Sequence, residues 1–371
     1  MKRIGNIYQE ICCMANLRLA DRIARRGKAN QQSIIRFDKN HEANLLKIQH
    51  QLLDKAYATS PYTHFTVHDP KERQISSLPY RDRIVHHAIM NIIEPMFVAN
   101  FTADTYSCIK GRGIHKAATK LFKALRTDPA STEYCLKLDV TKFYPSINHD
   151  ILKALLRRKI KDNDLLWLLD EIIDSAPGVP IGNYLSQYFA NFYLSPLDHF
   201  IKETLGIKHY WRYADDIVIL ANNKSELHKV LASIRAYLQL SLKLSIKGNY
   251  QVFPVSERGI DFLGYVFYHT HIYLRKSIKQ SWARAVKKGK NRQSLAAYHG
   301  WAKHCNAKNL LKTLSTNENI QRPRHQIKDP DRRQDPDRTN NRSADNSLRF
   351  PDKRQSFRKK ERSEQMSLFT N

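Results

Sequence analysis

The sequence predicts an α+β fold, a sheet covered by helices, and three observations carry that expectation. Residues 134–140 ("YCLKLDV") alternate apolar and polar side chains, as a strand with one buried face does. Residues 210–221 ("YWRYADDIVILA") read as two short strands around a tight turn at Asp215-Asp216. Segments of helical spacing lie around these strands, giving the mixed order βααβαβ rather than runs of one element.

Taken in chain order, residues 81–98 ("RDRIVHHAIMNIIEPMFV") place apolar side chains at helical spacing and predict a helix interrupted at Pro95. After the strand at 134–140, two helical segments are expected near 149–161 and 163–174. A Pro/Gly-rich loop follows at 176–183 ("APGVPIGN") and opens an apolar and aromatic helix over 185–205. Beyond the hairpin at 210–221, Ser225 is a plausible N-cap for a helix to about Leu238. Strands around 242–247 and 260–268 close the series. From about Gln321 the chain is Arg, Asp, Pro, Asn, Gln and Ser with few apolar residues, a composition that cannot bury a core and predicts disorder over 321–371. No fixed-period repeat is present.

The length of 371 residues allows two or three compact units. Lys and Arg total 62 against 35 Asp and Glu, a formal net charge of +27. Residues 321–371 hold fourteen Lys/Arg and eight Asp/Glu, a net of +6, so +21 remains on the part expected to fold. Such an excess repels itself unless a polyanion offsets it, and nucleic acid is the obvious one, a membrane surface the plainer alternative. Aromatic residues at 10% argue against a wholly disordered basic protein. The five cysteines form no C-x-x-C pair and their odd number suits no disulfide framework, so a reducing setting is expected. No apolar run of signal-peptide length follows Met1-Lys2-Arg3, and none reaches the ~18–20 residues of a membrane span. The expectation is a soluble cytoplasmic protein with no membrane partner.

Two acidic sites carry the chemistry. Asp139 ends a strand otherwise made of Leu, Val and one Lys, and Asp215-Asp216 sit between "WRYA" and "IVILA". Carboxylates in apolar surroundings are costly unless paired or bound to metal. Three of them at one sheet edge would repel one another, and divalent cations relieve that repulsion. Two Mg²⁺ ions ~3.5–4 Å apart form the clamp used for in-line phosphoryl transfer. Mg²⁺ takes a few carboxylates plus substrate phosphates in preference to an all-protein cage. A lone Asp-Asp pair is more often a solvated turn; the strand context and the second strand-end Asp raise the catalytic reading. Spacing alone also fits a nucleotide cyclase or an RNA-dependent RNA polymerase.

Tyr213-Ala214-Asp215-Asp216 resembles the Y-x-D-D signature of reverse transcriptases, and Asp139-Val140-Thr141-Lys142-Phe143-Tyr144 resembles their other metal-binding motif. The resemblance runs without a missing motif from about residue 65 to 270. It implies a right-hand polymerase of fingers, palm and thumb with an antiparallel palm sheet: N-terminal extension and fingers over 1–125, palm over 126–271 with part of the fingers at about 150–180, and a short basic thumb over 272–320. It implies two Mg²⁺, with Mn²⁺ as a substitute ion, held by Asp139, Val140, Asp215 and Asp216. Tyr144 becomes the steric gate that leaves no room for a 2′-hydroxyl, with a core aromatic as the plainer reading; Phe143 is left as core. "Pro70-Lys71-Glu72-Arg73" before "Asp82-Arg83-Ile84-Val85" is similar to the fingers motifs in which Lys71 and Arg73 would reach the triphosphate. Lys110-Gly111-Arg112-Gly113 is similar to a second fingers motif, a glycine-flanked basic turn suited to a phosphate backbone.

Ile181-Gly182-Asn183-Tyr184-Leu185-Ser186-Gln187 departs from the usual Q-G-x-x-x-S-P, and I-G-x-x-x-S-Q is similar to the reverse transcriptases of diversity-generating retroelements. Ile181, Gly182 and Gln187 would then line the nucleotide site. The subfamily implies errors concentrated at template adenines, a template RNA with its primer, deoxynucleoside triphosphates, and a small basic ring-forming accessory protein. Group II intron and phage-defence enzymes are the alternative lineage, and a non-catalytic RNA-binding scaffold a remote one. Lys247 is a candidate general acid or a solvated strand-end lysine. Gly264, in a segment resembling the primer grip, would admit the primer backbone, and Lys287 and Lys288 would track duplex phosphates. The basic stretch Arg22–Lys28 reads as a solvated helix face, or as a contact for template RNA or accessory protein.

Overall fold

The computed structural model describes residues 3–68 and 72–320. The expected disorder of 321–371 and the role of Lys71 therefore lie outside the described residues.

Strands β1 (Thr63–Val67) and β2 (Arg73–Ser77) form an antiparallel hairpin with Phe65 opposite Ile75. The central sheet has five strands: β3 (Thr105–Tyr106), β4 (Tyr134–Asp139), β5 (His209–Tyr213), β6 (Asp216–Ala221) and β7 (Gln251–Pro254), in the order β3-β5-β6-β4-β7. Only the short β3–β5 pairing in it is parallel; the other pairings are antiparallel. A separate sheet of β8 (Ile260–Phe262), β9 (Tyr265–Phe267) and β10 (Ile272–Leu274) is antiparallel throughout.

Side chains alternate across the central sheet. Leu136, Leu138, Tyr210, Ile217 and Ile219 join one buried cluster with the helices Tyr184–His199 and Lys224–Leu242. Cys135, Trp211, Val218, Leu220 and Phe253 join a second with the helix Ile114–Thr127, the β8–β10 sheet and Trp282. β6 is buried at every position after Asp216, which explains why it reads as an unbroken apolar run rather than an alternation. At the open end of the second face stand Lys137, Asp139 and Asp216, beyond its packed residues.

Around this sheet the long helix Tyr80–Asn100 packs on Tyr184–His199 and on the N-terminal helices Tyr8–Cys12 and Met14–Ala24. Pro95 does not interrupt it: Ile93, Met96 and Phe97 are buried on either side, and that packing outweighs one missing backbone donor. Three C-terminal helices, Lys276–Lys287, Arg292–Ala302 and Lys308–Ile320, complete the described chain.

Two further expectations are corrected. The helix after β6 starts at an Asn223 cap, whose Oδ1 accepts from Glu226 N at 2.7 Å, not at Ser225. It continues to Leu242, so no strand forms over 242–247. The run "LQLSLKLSI" alternates as a strand does, but Leu238 and Leu242 are four apart and bury one helical face, while Leu240 between them is 74% exposed. The strand appears instead at 251–254, and 260–268 resolves into a hairpin around Leu263-Gly264.

Candidate functional site

The hairpin of β5 and β6 turns at Ala214-Asp215, where Ala214 takes a left-handed φ of 54°. Pairing sets Asp139 directly opposite Asp216, as Tyr213 is on the other side of β6. Local anchors hold this end of the sheet. Val140 bridges Ile246, with Thr141 N donating to Ser245 O at 2.8 Å and Lys247 N to Asp139 O at 2.9 Å. Neither bond uses the Val140 carbonyl.

Beneath the turn lies a fully buried ion pair that the sequence reading missed. Asp198 accepts from Arg212 Nε at 2.6 Å, Tyr210 Oη at 2.5 Å and Thr105 Oγ1 at 2.7 Å. Arg212 in turn donates to the Ala214 carbonyl at 2.9 Å and to Asn191 Oδ1 at 3.0 Å. An Arg within "HYWRYA", otherwise aromatic and apolar, was the available signal: a buried guanidinium needs a partner.

The three aspartates are under-compensated. Burial, then the neighbouring Asp139 carboxylate, pushes Asp215 up to about 7. Asp216 is pushed up to about 6 by burial and Asp139, with Lys137 opposing. Asp139 Oδ1 and Asp216 Oδ1 are buried without a hydrogen-bond partner. Their outer oxygens face lysines: Lys247 Nζ lies 2.7 Å from Asp139 Oδ2, and Lys137 Nζ 3.7 Å from Asp216 Oδ2. Among the described residues no three acidic, histidine or cysteine side chains converge as a ready-made cage. Orphaned carboxylate oxygens beside a third carboxylate still fit divalent cations that take their remaining ligands from substrate phosphates. Lys137 was also missed; its position depends on β4–β6 register, which a single strand does not reveal. A cleft of about 350 Å³ opens here, lined by Lys137, Asp139, Asp216, Gln251, Arg258 and Arg275 among others.

The remaining candidates gather unevenly. Tyr144 is half-buried, its carbonyl accepting from Val179 N at 3.0 Å, and a Cβ on Gly178 would meet that same oxygen at 2.5 Å. Burial pushes its phenol up, with Cys108 and Asp215 adding and Arg73 opposing. Phe143 is buried in the core, as expected. Ile181 O accepts from Ser76 N of β2 at 2.8 Å, and Gly182 (φ 122°) passes so close that a Cβ would meet Ser76 O at 2.4 Å. Gln187 is half-buried in the first turns of the helix Tyr184–His199. Arg73 and Lys110 are exposed, whereas Arg112 is half-buried and donates to Thr102 O at 2.7 Å. Lys287 and Lys288 are exposed at a helix end. At Gly264 the space of a side chain is filled by Trp301 and Ile278, each within 2.8 Å of a would-be Cβ, so the glycine permits close approach of the C-terminal helices.

The profile of the reverse transcriptase (RNA-dependent DNA polymerase) family matches residues 67–267, and the chain belongs to that family. It is 24% identical to protein YkfC of Escherichia coli (strain K12), over 58% of this chain and 67% of that one. It is 26% identical to the retron Ec73 reverse transcriptase of Escherichia coli, over 53% of this chain and 68% of that one. An uncharacterized 91 kDa protein in the cob intron of Schizosaccharomyces pombe is 26% identical, over 54% of this chain and 24% of that one. Among solved structures the chain is similar to apo telomerase from Candida tropicalis, with a TM-score of 0.47 and 10% identity over 71% of this chain and 60% of that one. Among the described residues no helix is long and apolar enough to cross a membrane.

Proposed function

We propose that this chain extends a nucleic-acid primer with deoxynucleotides on an RNA template, with fingers, palm and thumb divided near residues 125 and 271. The observation that carries this reading is the pair of orphaned buried oxygens, Asp139 Oδ1 and Asp216 Oδ1, on facing strand ends beside Asp215. Asp139, Asp215, Asp216 and the Val140 carbonyl would hold two Mg²⁺ or Mn²⁺. When bound, the ions supply activation of the primer 3′-hydroxyl and offset the charge that develops on the triphosphate.

The chain's own residues do the rest. Lys247 Nζ lies 2.7 Å from Asp139, where it can balance that carboxylate or pass a proton to the leaving pyrophosphate. Arg73 with Lys71 grips the triphosphate, and Tyr144, fixed from behind by Gly178 and Val179, excludes a 2′-hydroxyl. Exposed Lys110, Lys287 and Lys288 contact nucleic-acid phosphates, with Arg112 bracing the turn beside Lys110.

The finer reading is an error-prone enzyme of a diversity-generating retroelement, working with a small basic ring-forming accessory protein. Its support is the I-G-x-x-x-S-Q motif, seated against β2 by the Ile181–Ser76 bond. Ile181 offers no hydrogen-bond donor, so a misaligned base pair loses less relative to a correct one. The names of the relatives favour a second reading, a retron- or intron-type enzyme, which predicts errors without adenine bias.

Primer extension on an RNA template with Mg²⁺ tests both levels. Wild type should extend and the Asp215→Ala, Asp216→Ala double variant should not. No extension even with a small basic accessory protein and its template RNA would overturn the polymerase reading. In the sequenced product, errors should collect at template adenines and fall in Ile181→Gln; unchanged misincorporation sinks the fidelity account.

A further inference from the structure

The basic stretch Arg22–Lys28 has no part in the site above, and its residues divide in the structure. Arg25 turns inward: its Nη2 lies 2.8 Å from both Asp21 and Asp38, and Tyr80 Oη donates to Asp21 at 2.6 Å. Arg22 and Arg26 are exposed. Lys28 does neither. It is half-buried, and its carbonyl accepts from the backbone N–H of Gln31 at 2.9 Å, the residue whose Oε1 Arg83 reaches. Arg83 and His87 lie one helical turn apart on Tyr80–Asn100, and each has its charged form disfavoured by burial in this basic neighbourhood.

Neutral groups fix this trio. Arg83 Nη2 donates to Ser77 Oγ at 3.2 Å, and its Nη1 reaches Gln31 Oε1 at 3.5 Å. The His87 ring stacks on Tyr184, with centroids 4.4 Å apart and planes at 25°. Among the described residues no carboxylate pairs with Lys28, Arg83 or His87. Burial and the two neighbouring cations push the His87 imidazole down to about 4, which leaves it a neutral donor and acceptor. Like charges drawn together and partly out of water are unfavourable until an anion joins them. A guanidinium fork, a compact ammonium and an imidazole N–H suit phosphate oxygens.

We propose that Lys28, Arg83 and His87 form a phosphate-binding site for the backbone of the template strand on its way to the Ile181–Tyr184 loop. The inference rests on reading the chain as an RNA-directed polymerase. Position favours a strand over a free phosphate. Arg83 holds Ser77 while Ile181 holds Ser76, so the trio and the Ile181 loop grip consecutive residues of β2. Tyr184 links them again, through the His87 stack. Exposed Arg22 and Arg26 extend the positive surface outward into a track rather than enclosing a single anion. The other source of the same chemistry is the triphosphate of the incoming nucleotide.

The test is fluorescence anisotropy of full-length protein with a labelled single-stranded RNA in EDTA, repeated over a salt series. Without divalent ions no extension occurs, so binding is read apart from catalysis. Lys28→Ala should lower the magnitude of the slope of log K against log salt by about 0.7, the contribution of one single-strand phosphate. Lys28→Arg should restore it, and Arg83→Lys should weaken binding several-fold. The KM for deoxynucleotides in extension should stay unchanged in Lys28→Ala. An unchanged slope with a raised nucleotide KM assigns the site to the triphosphate and overturns the template assignment. No change in either overturns the site. A protein that binds RNA with the expected slopes yet extends no primer, even with the accessory protein present, would refute the polymerase reading and leave the site standing.

Discussion

Asp215 occupies a two-residue turn in which burial and Asp139 make its ionised form unfavourable. Its folded pKa, about 7, lies above the ordinary 3.8, so the folded state binds the proton more tightly than the unfolded chain does. The sign follows from linkage: the associated stability is complete below about pH 4 and is lost as pH rises through about 7. In EDTA, the urea midpoint of wild type should therefore fall between pH 5 and pH 8 relative to Asp215→Asn, which cannot ionise. At pH 8 the variant should be the more stable by up to about 4 kcal/mol, from ~1.4 kcal/mol for each pH unit between the folded and ordinary values. Mg²⁺ should recover much of the difference in wild type alone. Parallel curves for the two proteins would show that Asp215 is not strained in this way. At this scale the sequence was informative wherever a residue stood out against its neighbours. Asp139, Asp215 and Asp216 were legible because carboxylates in apolar strands are conspicuous. Lys137 and Asp198 were not, because each gains its meaning from a partner on another element, Asp216 at 3.7 Å and Arg212 at 2.5 Å.

Elements bring those residues together, and the loop before the helix Tyr184–His199 shows how tightly. Gly182 has a φ of 122° and passes so near β2 that an added Cβ would lie 2.4 Å from Ser76 O, a backbone atom with no freedom to swing aside. Gly182→Ala should lose about 1–3 kcal/mol from backbone strain alone, with more from displacing β2. It should also raise the deoxynucleotide KM, because Arg73 begins the displaced strand. Denaturant unfolding beside extension kinetics checks both, and wild-type values for each would show that the loop accommodates a side chain. The motif itself was legible, but its seating was not: a sequence displays a glycine without the carbonyl it must clear. The same limit explains the strand expected at 242–247. Alternation and a four-residue helical repeat coincide in "LQLSLKLSI", and only the packing of Leu238 and Leu242 decides between them. Gly264 stands out in the sequence as a point of close approach, but the side chain that packs against it could not be read there, since Trp301 lies 37 residues downstream.

On the scale of the whole molecule, the α+β class and the antiparallel pairing around the aspartates were legible, because period and turn chemistry suffice for them. Charge is the other whole-molecule property. The net +27 is shared unevenly, with +6 on residues 321–371 and +21 on the rest. Nonspecific affinity for RNA depends on how many cations reach phosphates, not on which fold carries them. The fourteen Lys/Arg beyond residue 320 should therefore contribute to RNA binding even though the aspartates of the proposed site lie at least a hundred residues earlier. Deleting 321–371 should leave extension on a saturating primer–template unchanged, yet weaken RNA binding at low salt. If three or more of these cations contact phosphates, the slope of log K against log salt should fall in magnitude by at least about 2. The binding curves of full-length and truncated protein should then converge as salt rises. Combining the deletion with Lys28→Ala separates a diffuse contribution from a built one. Independent sites give additive losses, and a smaller combined loss would mean that the tail and Lys28 contact the same phosphates. An unchanged slope in the truncated protein would show that the tail's cations are balanced by its own eight carboxylates, and that the +21 remaining on residues 1–320 accounts for the electrostatic attraction to nucleic acid.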